Sequence, residues 1–280
     1  MKFSKDYEGI VISSGSGGGY GMLGFLHTLY SKRNMSRIKY FAGTSVGALI
    51  CMFLALGASP LDIFSKMCSK DVNEYLGIST DINLWTEQFG LIDSQKLKLY
   101  FTELVTDIYG FVPTFQQLKE KTNNTLIIAS FNVSKNKGQY FSPTTSPEID
   151  IVTAVVCSFC IPIMFTKMSY KGDYYVDGAL FDRCPVEECK REIEINGYPP
   201  YKIFVLFCAK PLELKEDCSL AEYIKAVCFS PINKQPVPLS SDEVDVFEIE
   251  NDFEDMTLKV DTETRIKNFT RASDFGKQYL

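Results

Sequence analysis

Between Gly9 and Gly57 the chain repeats one local pattern: an apolar run, a glycine-rich turn, then an apolar or amphipathic stretch with helical spacing. Gly9–Ser14 reads Gly-Ile-Val-Ile-Ser-Ser and predicts a strand. It enters Ser13-Ser14-Gly15-Ser16-Gly17-Gly18-Gly19, after which Met22, Leu23, Leu26 and Leu29 mark one face of a helix over Tyr20–Ser31. The second unit follows at once, with a strand at Ile38–Ala42, a turn at Gly43–Gly47, and a helix at Ala48–Leu56 closed by Gly57. Two consecutive units of this kind predict an α/β fold with a parallel sheet carrying helices on its faces.

The rest of the chain continues the alternation. Ser59-Pro60 is a helix start, with serine as cap and proline in the first turn. Asp93-Ser94 opens a helix that runs to Tyr109 and stops at Gly110, and Thr114–Lys121 reads as a short helix. Thr125–Val133 predicts a central strand, Gln139–Ser142 a second strand, Pro147–Ser158 a helix, and Tyr170–Tyr175 a turn through Lys171-Gly172-Asp173. Lys202–Cys208 predicts a further buried strand. From about residue 211 the character changes: Asp217–Phe229 reads as one helix, Ser230–Leu239 as proline-rich loop, and Ser240–Asp255 as an acidic solvated face or mobile loop. Arg265–Leu280 is loosely helical and is expected to cap the fold or touch a membrane. We read residues 1–280 as a single domain with a variable acidic C-terminal region.

Gly43-Thr44-Ser45-Val46-Gly47 is a Gly-x-Ser-x-Gly turn between a strand and a helix. Such a turn projects the serine hydroxyl from the sheet and aims the free N–H groups of the next helix at it, which suits nucleophilic acyl transfer. The sole histidine of the 280 residues is His27. It falls well inside the first predicted helix, away from the serine, and reads as structural. A Ser-His-Asp triad is therefore excluded, as are zinc sites built on several histidines, and the base must be a carboxylate, a lysine or a tyrosine. Asp177-Gly178-Ala179, after Tyr174-Tyr175-Val176, puts an aspartate at a strand end, although Asp-Gly alone is most often a turn. The upstream glycine-rich loop is compatible with nucleotide phosphate as well as with an oxyanion hole, but it lacks the Lys-Ser/Thr of a P-loop.

Other classes are bounded by composition. A formal net charge of -6 does not supply a basic field for nucleic acid. Met1–Glu8 lacks the apolar core of a secretory signal, and the strongly apolar part of Tyr40–Leu61, Val46–Leu56, is about half of the ~20 residues a membrane-spanning helix needs. A cytoplasmic protein, with contact at membranes no more than peripheral, is expected. The nine cysteines, including the Cys157-Ser158-Phe159-Cys160 spacing, read as reduced core thiols.

Taken together these residues resemble the patatin-like phospholipase family over roughly Gly9–Val186. Ser13–Gly19, with Gly24 in the helix behind it, is similar to the family's oxyanion loop, although Ser14, Ser16 and Gly18 stand where that pattern has two glycines and a basic residue. Gly43–Gly57 resembles its nucleophile segment, and Pro113–Leu118 its Pro-Thr-Phe-x-x-Leu helix. Ser158–Pro162 resembles its Ser-x-x-x-Pro turn, and Asp177-Gly178-Ala179 with Pro185-Val186 its aspartate segment, with Phe181–Cys184 in place of the usual asparagine. The resemblance implies a three-layer sandwich around a mostly parallel sheet. It also implies a Ser45–Asp177 dyad, an oxyanion hole near Gly15, Ser16 and Gly17, and a phospholipid or other lipid ester as substrate. No metal or cofactor is called for. A fold retained for lipid binding or regulation without turnover is the alternative, and a nucleotide-binding domain a more distant one.

Overall fold

The computed structural model describes residues 6–70, 72–77, 79–197, 200–209, 216–219, 223, 226, 227, 230, 232–250 and 261–279. The strands are β1 (Gly9–Ile12), β2 (Tyr40–Thr44), β3 (Gly90–Ile92), β4 (Thr125–Asn132), β5 (Lys137–Phe141), β6 (Ile163–Phe165), β7 (Met168–Tyr170), β8 (Asp173–Asp177), β9 (Ile203–Ala209) and β10 (Val244–Glu250). The α-helices are α1 (Gly19–Lys32), α2 (Val46–Ala55), α3 (Pro60–Ser69), α4 (Ile82–Thr86), α5 (Ser94–Tyr109), α6 (Phe115–Thr122), α7 (Ile151–Phe159), α8 (Val186–Ile195) and α9 (Thr262–Tyr279).

The main sheet runs β10-β9-β1-β2-β4-β8-β7, with β5 also paired to β4. From β10 to β4 every neighbour is parallel, whereas β5 and β8 run antiparallel to β4, and β7 antiparallel to β8. The central strands are buried on both faces, so they read as unbroken apolar runs, and period-two alternation divides their side chains between the layers. Ile10, Ile12, Phe41, Leu126, Ile128, Phe204 and Leu206 join the larger core with α1, α2, α5 and α7. Val11, Ala42, Ile127, Val205 and Phe207 join a smaller core on the other face, closed by Cys189 and Ile193 of α8. The architecture is a mixed α/β sandwich whose mostly parallel sheet is flanked by helices.

Local signals place the ends of several helices where the sequence puts them. Asp93 caps α5 by accepting from the Gln95 N–H at 2.8 Å, and Gly110 ends it with a left-handed φ of 92°. Ser59 and Asp62 form a capping box on α3, and Thr114 and Gln117 form one on α6. α2 is buried along its whole length. Among the described residues no single helix is long and apolar enough to cross a membrane; α2 with α3 passes by length and composition, but the pair bends by 117°.

Within the acidic stretch Ser240–Asp255, of which 251–255 lie outside the described residues, one segment departs from its expectation. Val244–Glu250 is the edge strand β10, parallel to β9, not a solvated face or mobile loop. Its apolar members Val244, Phe247 and Ile249 are buried, and the Asp245 carboxylate accepts from the Tyr7 hydroxyl at 2.9 Å and lies 3.2 Å from the Lys202 ammonium. Charge on an edge strand also guards against pairing with another chain. Most of the predicted helix Asp217–Phe229 lies outside the described residues. α9 caps the fold by lying on α1: an added Cβ at Gly24 would meet the Phe269 carbonyl oxygen at 2.0 Å, and the Thr28 hydroxyl donates to the Ser273 carbonyl at 2.9 Å. His27 is part of the same contact, its ring 5.6 Å from that of Phe269.

Candidate active site

Parallel pairing brings the ends of β1 and β2 together, with Ile12 opposite Gly43, so the loop after β1 and the turn after β2 share one edge of the sheet. Ligand sites in open α/β sheets form at this carboxyl edge. Ser45 sits between β2 and α2 with φ 55° and ψ -123°, a left-handed conformation that a non-glycine residue adopts at a cost of about 1–3 kcal/mol. The flanking glycines permit it by close approach. A Cβ at Gly43 would meet the Gly47 carbonyl oxygen at 2.5 Å, and one at Gly47 would meet the Ile12 carbonyl oxygen at 2.2 Å.

Asp177 reaches the serine from the other direction. β4 carries Ala129 opposite Thr44 on β2 and Ser130 opposite Asp177 on β8, so the aspartate ends its strand level with the serine turn. Gly178 then passes so close to β4 that a Cβ there would lie 2.0 Å from the Ala129 carbonyl oxygen, which is the physical reason for Asp-Gly at this point. The Ser45 Oγ donates to Asp177 Oδ2 at 2.7 Å, and the Ala179 N–H donates to Asp177 Oδ1 at 2.8 Å. Both side chains are enclosed, Asp177 at 1% and Ser45 at 6% exposure. Burial pushes the Asp177 carboxyl up from 3.8 to about 6, against the opposing pull of the Ser45 and Ala179 hydrogen bonds. A carboxylate in that range accepts a proton near neutral pH more readily than an exposed one.

α7 and the chain after it hold both partners. The Ser158 hydroxyl accepts from the Ser45 N–H at 2.9 Å, and the Cys160 carbonyl accepts from the Asp177 N–H at 2.9 Å. Ser158 is a site residue to which the sequence alone assigned no role. It was visible only as part of a Ser-x-x-x-Pro turn, since a serine in the last turn of a helix carries no local mark of what it supports. Cys157 and Cys160 are buried in the core as expected.

The loop holding Gly15, Ser16 and Gly17 is brought to the same edge. Gly15 caps a 3-10 turn, Ser16–Gly18, that runs into α1, and the Gly18 N–H donates back to the Gly15 carbonyl at 2.8 Å. A Cβ at Gly19 would meet Cγ2 of Val46 at 2.6 Å, so this loop abuts the residue after the serine. The Ser14 N–H donates to the Arg183 carbonyl at 2.8 Å, and the Ser13 hydroxyl accepts from the Cys208 N–H at 2.8 Å. Arg183 stacks its guanidinium 4.5 Å from the Phe207 ring and donates to the Cys208 carbonyl at 2.9 Å. The segment that replaces the usual asparagine therefore braces the loop through its backbone. His27 lies with α9, away from this edge.

The profile of the family described as patatin-like phospholipase matches residues 10–190. The chain is 31% identical over 188 residues to "Probable lipid hydrolase 463L" of Invertebrate iridescent virus 6, a match covering 65% of this chain and 63% of that protein. Among solved structures it is similar to VipD from Legionella pneumophila, with a TM-score of 0.61 and 14% identity over 97% of this chain and 66% of that one. It is also similar to the type III effector protein ExoU of Pseudomonas aeruginosa, with a TM-score of 0.53 and 13% identity over 98% of this chain and 52% of that one. At these identities the two structures speak to the fold alone. The chain spans less than two thirds of the length of each of the three proteins.

Proposed function

The chain belongs to the patatin-like phospholipase family, and from that premise we propose that it hydrolyses carboxylic esters of lipids, with Ser45 as nucleophile and Asp177 as general base. The observation that carries this reading is the 2.7 Å hydrogen bond from the Ser45 hydroxyl to a desolvated carboxylate. Above about pH 6 Asp177 is ionised and takes the hydroxyl proton as Oγ attacks the acyl carbon. The carbonyl oxygen becomes an oxyanion. The N–H groups of Ser16 and Gly17 open a helical turn and have no intrahelical acceptor, so they are suited to receive it, with Gly15 setting the loop and the N-terminus of α2 adding its dipole. As the tetrahedral species collapses, Asp177 returns the proton to the departing alcohol, leaving an acyl-Ser45 ester. A water then gives its proton to Asp177 and its oxygen to the acyl carbon, and the fatty acid leaves as Ser45 recovers its hydrogen. No metal enters this scheme.

The substrate class we assign is phospholipid or lysophospholipid, supported by the family and by the viral relative's description as a probable lipid hydrolase. We take the whole chain as one such domain, with the region from about residue 211 as its variable part. Ser45→Ala and Asp177→Asn are each expected to lower hydrolysis of phospholipid by at least about 10³-fold, read as released fatty acid and lysolipid by mass spectrometry. A folded variant of either kind that kept full turnover would remove the dyad. The altered glycine pattern at Ser14 and Ser16 favours one other reading, a lipid-binding protein without turnover. Covalent labelling of Ser45 by a fluorophosphonate separates the two, since a serine with no working base and oxyanion site stays unlabelled.

A further inference from the structure

The surface around β3 and β6 keeps large apolar side chains in water at the expense of its own backbone. Ile82 and Trp85 on α4, Phe89 before β3, Ile163 at the start of β6 and Tyr174 on β8 are all exposed, Phe89 by 61%. Phe89 and Ile163 both have left-handed backbones, φ 57° and 68°, a conformation uncommon for any side-chain-bearing residue and an outlier for a β-branched one. β3 and β6 pair with Gly90 opposite Ile163, which joins the two strained points. Lys167 ties in the rest: its N–H donates to the Gln88 carbonyl and its ammonium to the Glu87 carbonyl, each at 3.0 Å. The same ammonium lies 4.8 Å from the Phe89 ring centre and 5.2 Å from that of Tyr174. The Trp85 indole N–H donates to the Ser79 carbonyl at 3.0 Å, so its polar atom is satisfied within the protein.

Core packing gains nothing from holding Phe89 and Ile163 outward, and strain of this kind points to a use outside the fold. We propose that this surface docks on a lipid bilayer, an inference that rests on the reading of Ser45 as a lipid hydrolase. Tryptophan, tyrosine and a lysine stem among apolar side chains match the headgroup zone of a membrane, where rings are half immersed and an ammonium meets phosphate. Lys167 and Lys171 bring two ammonium groups to the surface, where they can meet lipid phosphate, beside the exposed carboxylates of Asp81 and Glu87. The patch is also continuous with the site. Ser158–Ile163 runs from the Ser45 amide to the patch, and Tyr174–Asp177 runs from the patch to the carboxylate. Two short chain segments therefore tie the patch to both members of the dyad.

Trp85 is the single tryptophan of the chain, so tryptophan emission, excited apart from the tyrosines, reports on this surface alone. The experiment uses the full chain carrying Ser45→Ala, so that vesicles are not consumed, with phosphatidylcholine vesicles alone and with added phosphatidylserine. Emission is expected to shift to the blue and to be quenched by brominated acyl chains, more strongly with the anionic lipid. Phe89→Gly and Ile163→Gly are each expected to weaken vesicle partitioning by about tenfold or more. Glycine adopts a positive φ freely, so the same variants keep or raise the thermal midpoint, which separates lost docking from lost folding. Ile195→Ser, an exposed apolar residue at the far end of α8, leaves partitioning unchanged. Emission indifferent to both vesicle types, or glycine variants that partition like their parent, overturns the docking surface. Hydrolysis of a soluble short-chain ester by the unaltered chain tests the dyad separately. Turnover without vesicle insertion removes the docking surface and keeps the hydrolase, whereas insertion without turnover does the reverse.

Discussion

Replacing Asp177 by asparagine is expected to stabilise the fold at neutral pH while abolishing hydrolysis. Burial raises the carboxyl from its ordinary 3.8 to about 6, so the folded state binds a proton more tightly than the unfolded chain does. A raised pKa contributes stability that is fully present below about pH 3.8 and is lost as pH rises through about 6. At pH 8 the wild type therefore carries the whole penalty of an ionised buried carboxylate, roughly 3 kcal/mol at ~1.36 kcal/mol per pH unit. Asparagine carries no charge at any of these pH values. It also keeps the local pairing, because its amide oxygen can accept from the Ala179 N–H while its NH₂ donates to the Ser45 oxygen. After an allowance for imperfect geometry, Asp177→Asn is expected to exceed the wild type by about 1–3 kcal/mol at pH 8 and to converge with it near pH 4. Urea unfolding of both proteins at pH 4, 6 and 8 and constant ionic strength measures the difference, and every other titrating group cancels in the subtraction. A difference that stays flat across that range would refute the reasoning, since it would mean the carboxyl titrates alike in folded and unfolded chains.

Two further outcomes follow from the same geometry. On a soluble ester, kcat/KM is expected to rise with pH through about 6 and then level off, because only ionised Asp177 accepts the Ser45 proton; an acid limb near pH 4 contradicts a desolvated base. Gly24→Ala introduces a Cβ at 2.0 Å from the Phe269 carbonyl oxygen and must displace α9 from α1, at about 1–3 kcal/mol by urea unfolding, and a variant within ~0.5 kcal/mol of wild type would mean that the helices do not meet there.

What the sequence made legible, and what it left hidden, divides by the range of the interaction. The ends of α5 follow from Asp93 and Gly110 because a cap and a left-handed stop act within a few residues. The Gly43–Gly47 turn is legible for the same reason. β3 and β6 are short and pair with each other across much of the chain, so nothing in either segment announces the partner. β10 is obscured because acidic residues crowd the segment around it, and only the folded neighbours, β9 and Phe25 of α1 among them, give Val244, Phe247 and Ile249 a surface to cover. Asp177 lies between these cases. Its Asp-Gly signals a turn locally, and its distinction comes from the approach of Gly178 to Ala129 on a strand distant in sequence.

That approach depends on the break in the parallel order. The parallel strands β1 and β2 end at the edge where Ser45 sits, whereas β4 runs on past it to Asn132 and pairs there with β5 and β8. β8 runs against β4, so it descends toward that edge from the β7–β8 hairpin beyond it, and its last residue arrives beside Ser45 at the level of Ser130. The same strand thus buries a carboxylate at one end and carries Tyr174 into water at the other. The strand direction that buries this carboxylate also sets the β7–β8 hairpin beyond the serine turn. A chain whose one histidine packs against α9 has no imidazole to bring to its serine; here the sheet itself carries the carboxylate that the proposed mechanism uses as base.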